Sequence, residues 1–335
     1  MPDELMLMIV LMLPFATVWS GACERVCQRW ARLMESASIV RRKRDGRWAA
    51  YEAGAIKPRM LEGHTGIVSA LAIGVDGKIY SGSLDNTIMV WSGESGAHLQ
   101  TLTGHTHTVR AVTLGLDGNI YSGSDDSTIR VWSGASGAHV RTLLGHTGWV
   151  LALGVGLDGK IYSGSADETI RVWAADDGTH VQTLVGHTNW VRSLAVGKDS
   201  AIYLGSDDTT IRVWSGVDGT HLRTLAGHTR SVIALAVAPD GRVYSGSYDK
   251  TILVWSPDDG AHLQTLAGHT RGVWALVVWT EGKVFSGSGG GTVRVWSGVN
   301  GVRLHTLSGN VQSVYALAFG RNGALYSGGF GLEMW

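Results

Sequence analysis

His64, Ser81, Ser83 and Asp85 precede Trp91 in the chain, and histidine, serine and aspartate are the side chains of a base, a nucleophile and an orienting carboxylate. A single set would read as a hydrolytic triad. The set returns, however, at His105/Asp126/Trp132, His146/Asp167/Trp173, His187/Asp208/Trp214 and His228/Asp249/Trp255, each time after 41 residues. A reaction needs one asymmetric constellation, whereas copies in register answer a repeated structural need. A second series, His98, His139, His180, His221 and His262, has the same step and supplies one ring per repeat, without zinc-type spacing. No P-loop or unique nucleophile-base pair occurs either. The reading is therefore of a protein that is not an enzyme, with no metal and no cofactor.

The elements that carry these residues are short. Gly-His stands at 63–64, 104–105, 145–146, 186–187, 227–228 and 268–269, and Gly309-Asn310 continues the series. Trp91, Trp132, Trp173, Trp214, Trp255 and Trp296 keep the same interval, and Trp335 follows 39 residues later. Within a unit, Ile79-Tyr80-Ser81-Gly82-Ser83 and Thr87-Ile88-Met89-Val90-Trp91 alternate like strands, separated by turns such as Asp76-Gly77 and Ser95-Gly96. The 47 glycines among 335 residues fit a chain that turns often. Each unit is a small antiparallel sheet that cannot bury both faces alone, so the units must stack, and radial closure protects their edges.

Composition narrows the class. With 44% hydrophobic and 17% charged residues the chain is folded rather than disordered. Its 28 basic and 28 acidic residues cancel, but residues 1–60 carry +4 and residues 61–335 carry −4, which places a boundary near residue 60. A mildly acidic body without a basic stripe excludes general nucleic-acid binding. Two cysteines form no disulfide framework and point to a reducing compartment, cytoplasmic, nuclear or both.

The unit G-H-T-x-x-V-x-A-L-x-x-x-x-D-G-x-I-Y-S-G-S-x-D-x-T-I-R-V-W resembles the WD repeat, over residues 57–335. Ser92 and Ala174 follow the tryptophan where the family usually has aspartate. The resemblance implies an all-β, seven-bladed β-propeller of four-stranded blades. It also implies that the recurring His, Ser and Asp form a buried hydrogen-bond network. The chain ends on the third strand of the seventh unit, and segment 57–62 aligns with 98–103, so the front of the propeller is expected to supply the missing outer strand. Pro58 suits an outermost strand. Gly290 in place of aspartate, Asn310 in place of histidine and the shortened stretch before Trp335 mark the last two units as the loosest.

Ahead of the propeller, Leu5 to Cys23 is a run of 19 residues without charge, long enough to cross a bilayer. The acidic residues before it and Pro14 within it argue against a membrane span. Cys23, Val26, Cys27, Trp30, Leu33 and Met34 then line one face of an amphipathic helix, with Glu24, Arg25, Gln28, Arg29 and Arg32 opposite. A segment of about 45 residues has too little interior to bury this surface, so it needs a partner. Pro2, Leu5, Ile9, Leu13, Pro14, Val26 and Trp30 resemble the apolar positions of the F-box. That resemblance implies docking on a Skp-type adaptor and, through it, on a cullin-RING ubiquitin ligase. The expected organisation is an α-helical F-box-like segment over 1–45, a linker over 46–56 and the propeller over 57–335. Arg41-Arg42-Lys43-Arg44 with Arg47 read as a solvated helix end or linker in preference to an import signal.

Comparison among the repeats separates geometry from specificity. The residue before the valine that opens each first strand changes from unit to unit (Ile67, Thr108, Trp149, Trp190, Ser231, Gly272, Ser313), as does the one after it (Ser69, Arg110, Leu151, Arg192, Ile233, Trp274, Tyr315). So does the residue before the turn aspartate (Leu84, Asp125, Ala166, Asp207, Tyr248, Gly289). In the resembled family these places open onto one end of the ring. The candidate peptide-binding residues are Arg110, Trp149, Trp190, Arg192, Arg230, Tyr248, Arg271, Trp274 and Tyr315. Arginines and large aromatics suit an acidic or phosphorylated peptide. Asp125 and Asp207 either orient the arginines or repel phosphate. The expected function is the substrate receptor of an SCF-type ubiquitin ligase; the alternative is a WD-repeat scaffold for another assembly, attached to a membrane if 5–23 inserts.

Overall fold

The computed structural model describes residues 57–279, 282–308 and 312–335. These form seven four-stranded antiparallel sheets. Blade one is typical, with strands Val68–Ile73, Ile79–Ser83, Ile88–Trp91 and His98–Leu102 in consecutive order from the channel outwards. The second strand is buried throughout, whereas the outer one exposes its first three residues. The candidate adaptor residues Pro2, Leu5, Ile9, Leu13, Pro14, Val26 and Trp30 lie outside the described residues, as do the 5–23 run, the basic run at 41–44 and Asn310. Among the described residues no helix is long and apolar enough to cross a membrane.

Strand alternation sends side chains to both faces of each sheet, so each face needs a cover. Tyr80, Ile88, Val90 and Leu102 of blade one pack with Val109, Val112, Ile120 and Trp132 of blade two in one cluster. The next seam repeats it with Tyr121, Ile129, Val131 and Leu143 against Val150, Ile161 and Trp173. Contact is closest at the glycine of each Ser-Gly-Ser strand. A Cβ on Gly82 would stand 2.7 Å from Val109 Cγ1, so even alanine would push against the valine that opens the next blade.

The same packing closes the ring. A Cβ on Gly328 of blade seven would lie 2.8 Å from Val68 of blade one. Leu61, Tyr326 and Leu332 join Val68, Ile79 and Trp91 in the cluster between these two blades. Blade seven is assembled from both ends of the propeller: strand Arg59–Leu61 pairs antiparallel with Leu332–Met334, in the register Arg59↔Met334, Met60↔Glu333 and Leu61↔Leu332. The pairing is shorter than the 57–62 segment, and Pro58 stands just before it rather than inside it. Leu61 is buried at this seam. Leu61→Ala is expected to lower the unfolding free energy by about 2–4 kcal/mol, read as a lower urea midpoint with an unchanged slope.

Candidate functional site

The repeated polar set is one network per blade. In blade two, Ser122 Oγ accepts from Trp132 Nε1–H at 2.9 Å and lies 2.7 Å from His105 Nε2. His105 Nδ1 is in turn 2.7 Å from Asp126 Oδ2. Because the indole can only donate, the serine proton is free for Nε2, which leaves the neutral imidazole's proton on Nδ1, facing the carboxylate. Asp126 also accepts from the amides of Thr106 and Thr128 and from the Thr128 hydroxyl. The carboxylate thus ties the loop before the first strand to the turn before the third. The same contacts recur around Asp85, Asp167 and Asp249. In all four of these blades the serine is fully buried, its Oγ held between the indole and the imidazole.

Two blades depart from the pattern. In blade four the serine position holds Leu204, fully buried; His187 Nε2 meets the Leu204 carbonyl instead, and Trp214 Nε1 has no partner. Spacing did not reveal this, because His187, Asp208 and Trp214 keep their places. In blade six Gly290 replaces the aspartate, and His269 Nδ1 has no partner. Burial, aided by the Arg294 charge, pushes the His269 pKa down to about 4. Blade seven keeps the Trp335 Nε1 bond to Ser327 Oγ at 2.8 Å.

The outer-strand histidines also serve locally. His98, His139, His180, His221 and His262 each contact the threonine three residues on through Nε2. Each also stands edge-on to its blade's tryptophan. Among the described residues no group of three or more His, Cys, Asp or Glu could hold a metal ion. Arg130, Arg171, Arg212 and Arg294, which recur at one position of the third strand, are half-buried, and their Nε atoms are buried without partners.

The variable residues hang on a recurring backbone device. The inner strand of each of the first six blades has a register shift immediately after its opening valine, as between Val109 and Ala111 or between Val191 and Ser193. A bulge re-aims the side chain of its extra residue; here the extra residues are Ser69, Arg110, Leu151, Arg192, Ile233 and Trp274. With Tyr315 they line a central cavity of about 200 Å³. One residue before the valine, the carbonyl accepts the amide of the residue before the turn: Asp125 N–H to Thr108 O at 2.9 Å, Asp207 N–H to Trp190 O at 3.0 Å. All three variable positions of a blade are thereby brought together.

Arg110 and Arg192 are not free cations. Arg110 binds both oxygens of Asp125 through Nε and Nη2, at 2.8–3.1 Å, and Arg192 binds Asp207 in the same way at 2.8–3.0 Å. The aspartates therefore orient these arginines and neutralise them. Arg192 also lies 4.6 Å over the Trp190 ring, which meets Trp149 edge-on at 5.3 Å. In a second cluster, Trp274 lies 4.4 Å from Tyr315 and meets Tyr248 at 6.2 Å. Gly272 and Gly289 accommodate that indole, since a Cβ on either would come within 2.9 Å of it. Trp149 is 41% and Tyr248 40% exposed. Arg230 and Arg271 are exposed loop residues outside the cavity lining, held by their carbonyls, which accept from Ser247 and Ser288 hydroxyls.

The WD domain, G-beta repeat family matches residues 57–92, 96–133, 137–174, 178–215, 219–256 and 260–297. The chain belongs to this family, whose propellers are protein-interaction modules. The six matches start at residue 57, and the seventh blade is completed by the strand pairing described above. No curated protein matches the chain.

The network makes two predictions. Burial raises the pKa of Asp126, Asp167, Asp208 and Asp249, but hydrogen bonds from the paired histidine and threonine outweigh it and hold each well below the ordinary carboxylate range. A depressed folded-state pKa contributes stability above the unfolded value of about 4 that is lost as pH falls through the folded value. Acid should therefore destabilise the propeller progressively below about pH 5, and Asp126→Asn should flatten that dependence in pH-resolved urea melts. Conversely, Gly290→Asp should supply His269 with its missing partner and stabilise by about 1–2 kcal/mol, seen as a raised Tm.

Proposed function

We propose that this protein is the non-catalytic substrate receptor of a cullin-RING ubiquitin ligase of the SCF type, working in the cytoplasm or nucleus. Residues 1–45 dock a Skp-type adaptor, and the channel mouth holds a peptide of the target. The observation that carries the propeller's part is the gathering of the blade-variable residues at one mouth, each mounted on the same bulge and backbone bond. The adaptor's part rests on the resemblance of Pro2, Leu5, Ile9, Leu13, Pro14, Val26 and Trp30 to the F-box. Holding a target beside the ubiquitin-loaded enzyme raises the effective concentration of its lysines, so rate is gained by proximity alone.

The mouth favours a particular kind of segment. Two aromatic clusters, Trp149/Trp190 and Tyr248/Trp274/Tyr315, offer rigid area at small entropic cost. Because Arg110 and Arg192 are neutralised by their aspartates, Arg230 and Arg271 are the cations among the candidate residues that remain to attract an acidic or phosphorylated residue.

Recombinant Skp-type adaptor should be retained by the full chain and lost by a 46–335 truncation; no retention by the full chain overturns the ligase assignment. Trp149→Ala with Tyr248→Ala, both exposed, should reduce recovery of co-purifying target proteins at least about ten-fold while adaptor binding and Tm stay unchanged. Equal recovery would remove the mouth as the binding surface.

A further inference from the structure

In five blades the turn aspartate gathers four donors. Asp167 shows the set: Oδ2 accepts from His146 Nδ1–H at 2.7 Å and the Thr147 amide at 3.0 Å, while Oδ1 accepts from the Thr169 amide at 3.0 Å and its hydroxyl at 2.6 Å. Blade six has the same donor types at the same positions, His269, Thr270 and Thr292, and Gly290 where the acceptor belongs. His269 is only 6% exposed. Its Nε2 lies 2.7 Å from Ser286 Oγ, which accepts from Trp296 Nε1–H at 2.8 Å. The serine proton thus faces Nε2, and the ring proton sits on Nδ1, a buried donor without a partner.

The place of the absent side chain has room. A Cβ on Gly290 would meet nothing nearer than Thr270 Oγ1 at 3.4 Å, an ordinary contact. Gly290 and Thr270 are both exposed, Gly289 and Gly291 bring no side chains, and among the described residues the nearest side chain to the vacant place is the rotatable Thr270. The neighbourhood is cationic: exposed Arg271 follows Thr270, and Arg294 lies close enough to disfavour a second proton on His269. A group that enters must accept hydrogen bonds and carry negative charge, which is what a carboxylate does in the five other blades.

We propose that blade six is a carboxylate-binding site, in which an aspartate or glutamate side chain of a bound protein takes the place that Gly290 leaves beside His269 Nδ1 and completes the network in trans. The choice of a protein-borne carboxylate rests on the reading of the channel mouth as the binding surface. The binding chemistry itself is shared by free small carboxylates, which provide the probe.

The full-length chain and its Gly290→Asp variant are melted in sodium formate and in sodium chloride at equal ionic strength. Formate should raise the Tm of the unaltered chain by about 2 °C over chloride and shift the His269 Nδ1 resonance. Neither effect should appear in Gly290→Asp, where the site is filled in cis. A short blocked peptide carrying one aspartate should reproduce the resonance shift, and its asparagine counterpart should not. Equal formate responses in the two chains, or an unmoved His269 signal, overturn the site. A response to formate without one to the aspartyl peptide overturns the protein-borne ligand. Neither probe involves adaptor or target, so failure of the receptor assignment would leave these results standing, and the reverse.

Discussion

A four-stranded blade sends side chains to both faces of its sheet, and the apolar ones on each face have to leave water. No blade can do this alone. Val90 and Leu102 of blade one find their cover on Val109 and Trp132 of blade two, and the sequence of covers has to return to its start. The return is made by Leu61 and Leu332 packing with Val68 and Trp91. Because stability in such an array is shared between neighbours, the seam that joins the two ends covers the two faces that would otherwise stay in water. The glycine-to-valine approach is equally tight at Gly82 and at Gly328, so the closing seam is packed like the internal ones.

Burying the sheets also buries the tryptophan at or beside the end of each third strand, and with it an indole N–H that needs an acceptor. The histidine, serine and aspartate that look like a triad answer that need, blade after blade. Leu204 and Gly290 show two ways of altering it. Leu204 exchanges a hydrogen bond for apolar burial in the cluster between blades three and four, leaving Trp214 Nε1 without a partner. Gly290 removes an acceptor at an exposed turn and leaves a donor prepared for one. The first change leaves a donor unpaired deep in the seam; the second leaves one beside an exposed turn.

Much of the architecture was legible. The 41-residue step and the recurring tryptophans implied the blades, and the alignment of 57–62 with 98–103 pointed to the strand that pairs with Leu332–Met334. The variable positions were legible as well, and the resemblance set them at one end of the ring, but the backbone that mounts them was not legible. Hydrophobic alternation does not record a one-residue bulge, so nothing in the string showed that Arg110 and Trp274 line the cavity from the bulge of their strands. The pairing of Arg192 with Asp207 joins residues 15 apart through strand register, and sequence alone left Asp207 either to orient the arginine or to repel phosphate. The half-burial of Arg130 and Arg171 was hidden for a similar reason: an arginine stem lies along an apolar edge as readily as it extends into water.

The sequence by itself determined the period, the number of blades and which positions differ among them, because these are properties of order along one dimension. Only the tertiary structure decided which of the differing side chains meet, which arginines are neutralised and that the histidine beside Gly290 is left with a buried donor. Those outcomes depend on distances across strands and between blades, which exist once the sheets have twisted, bulged and closed into a ring.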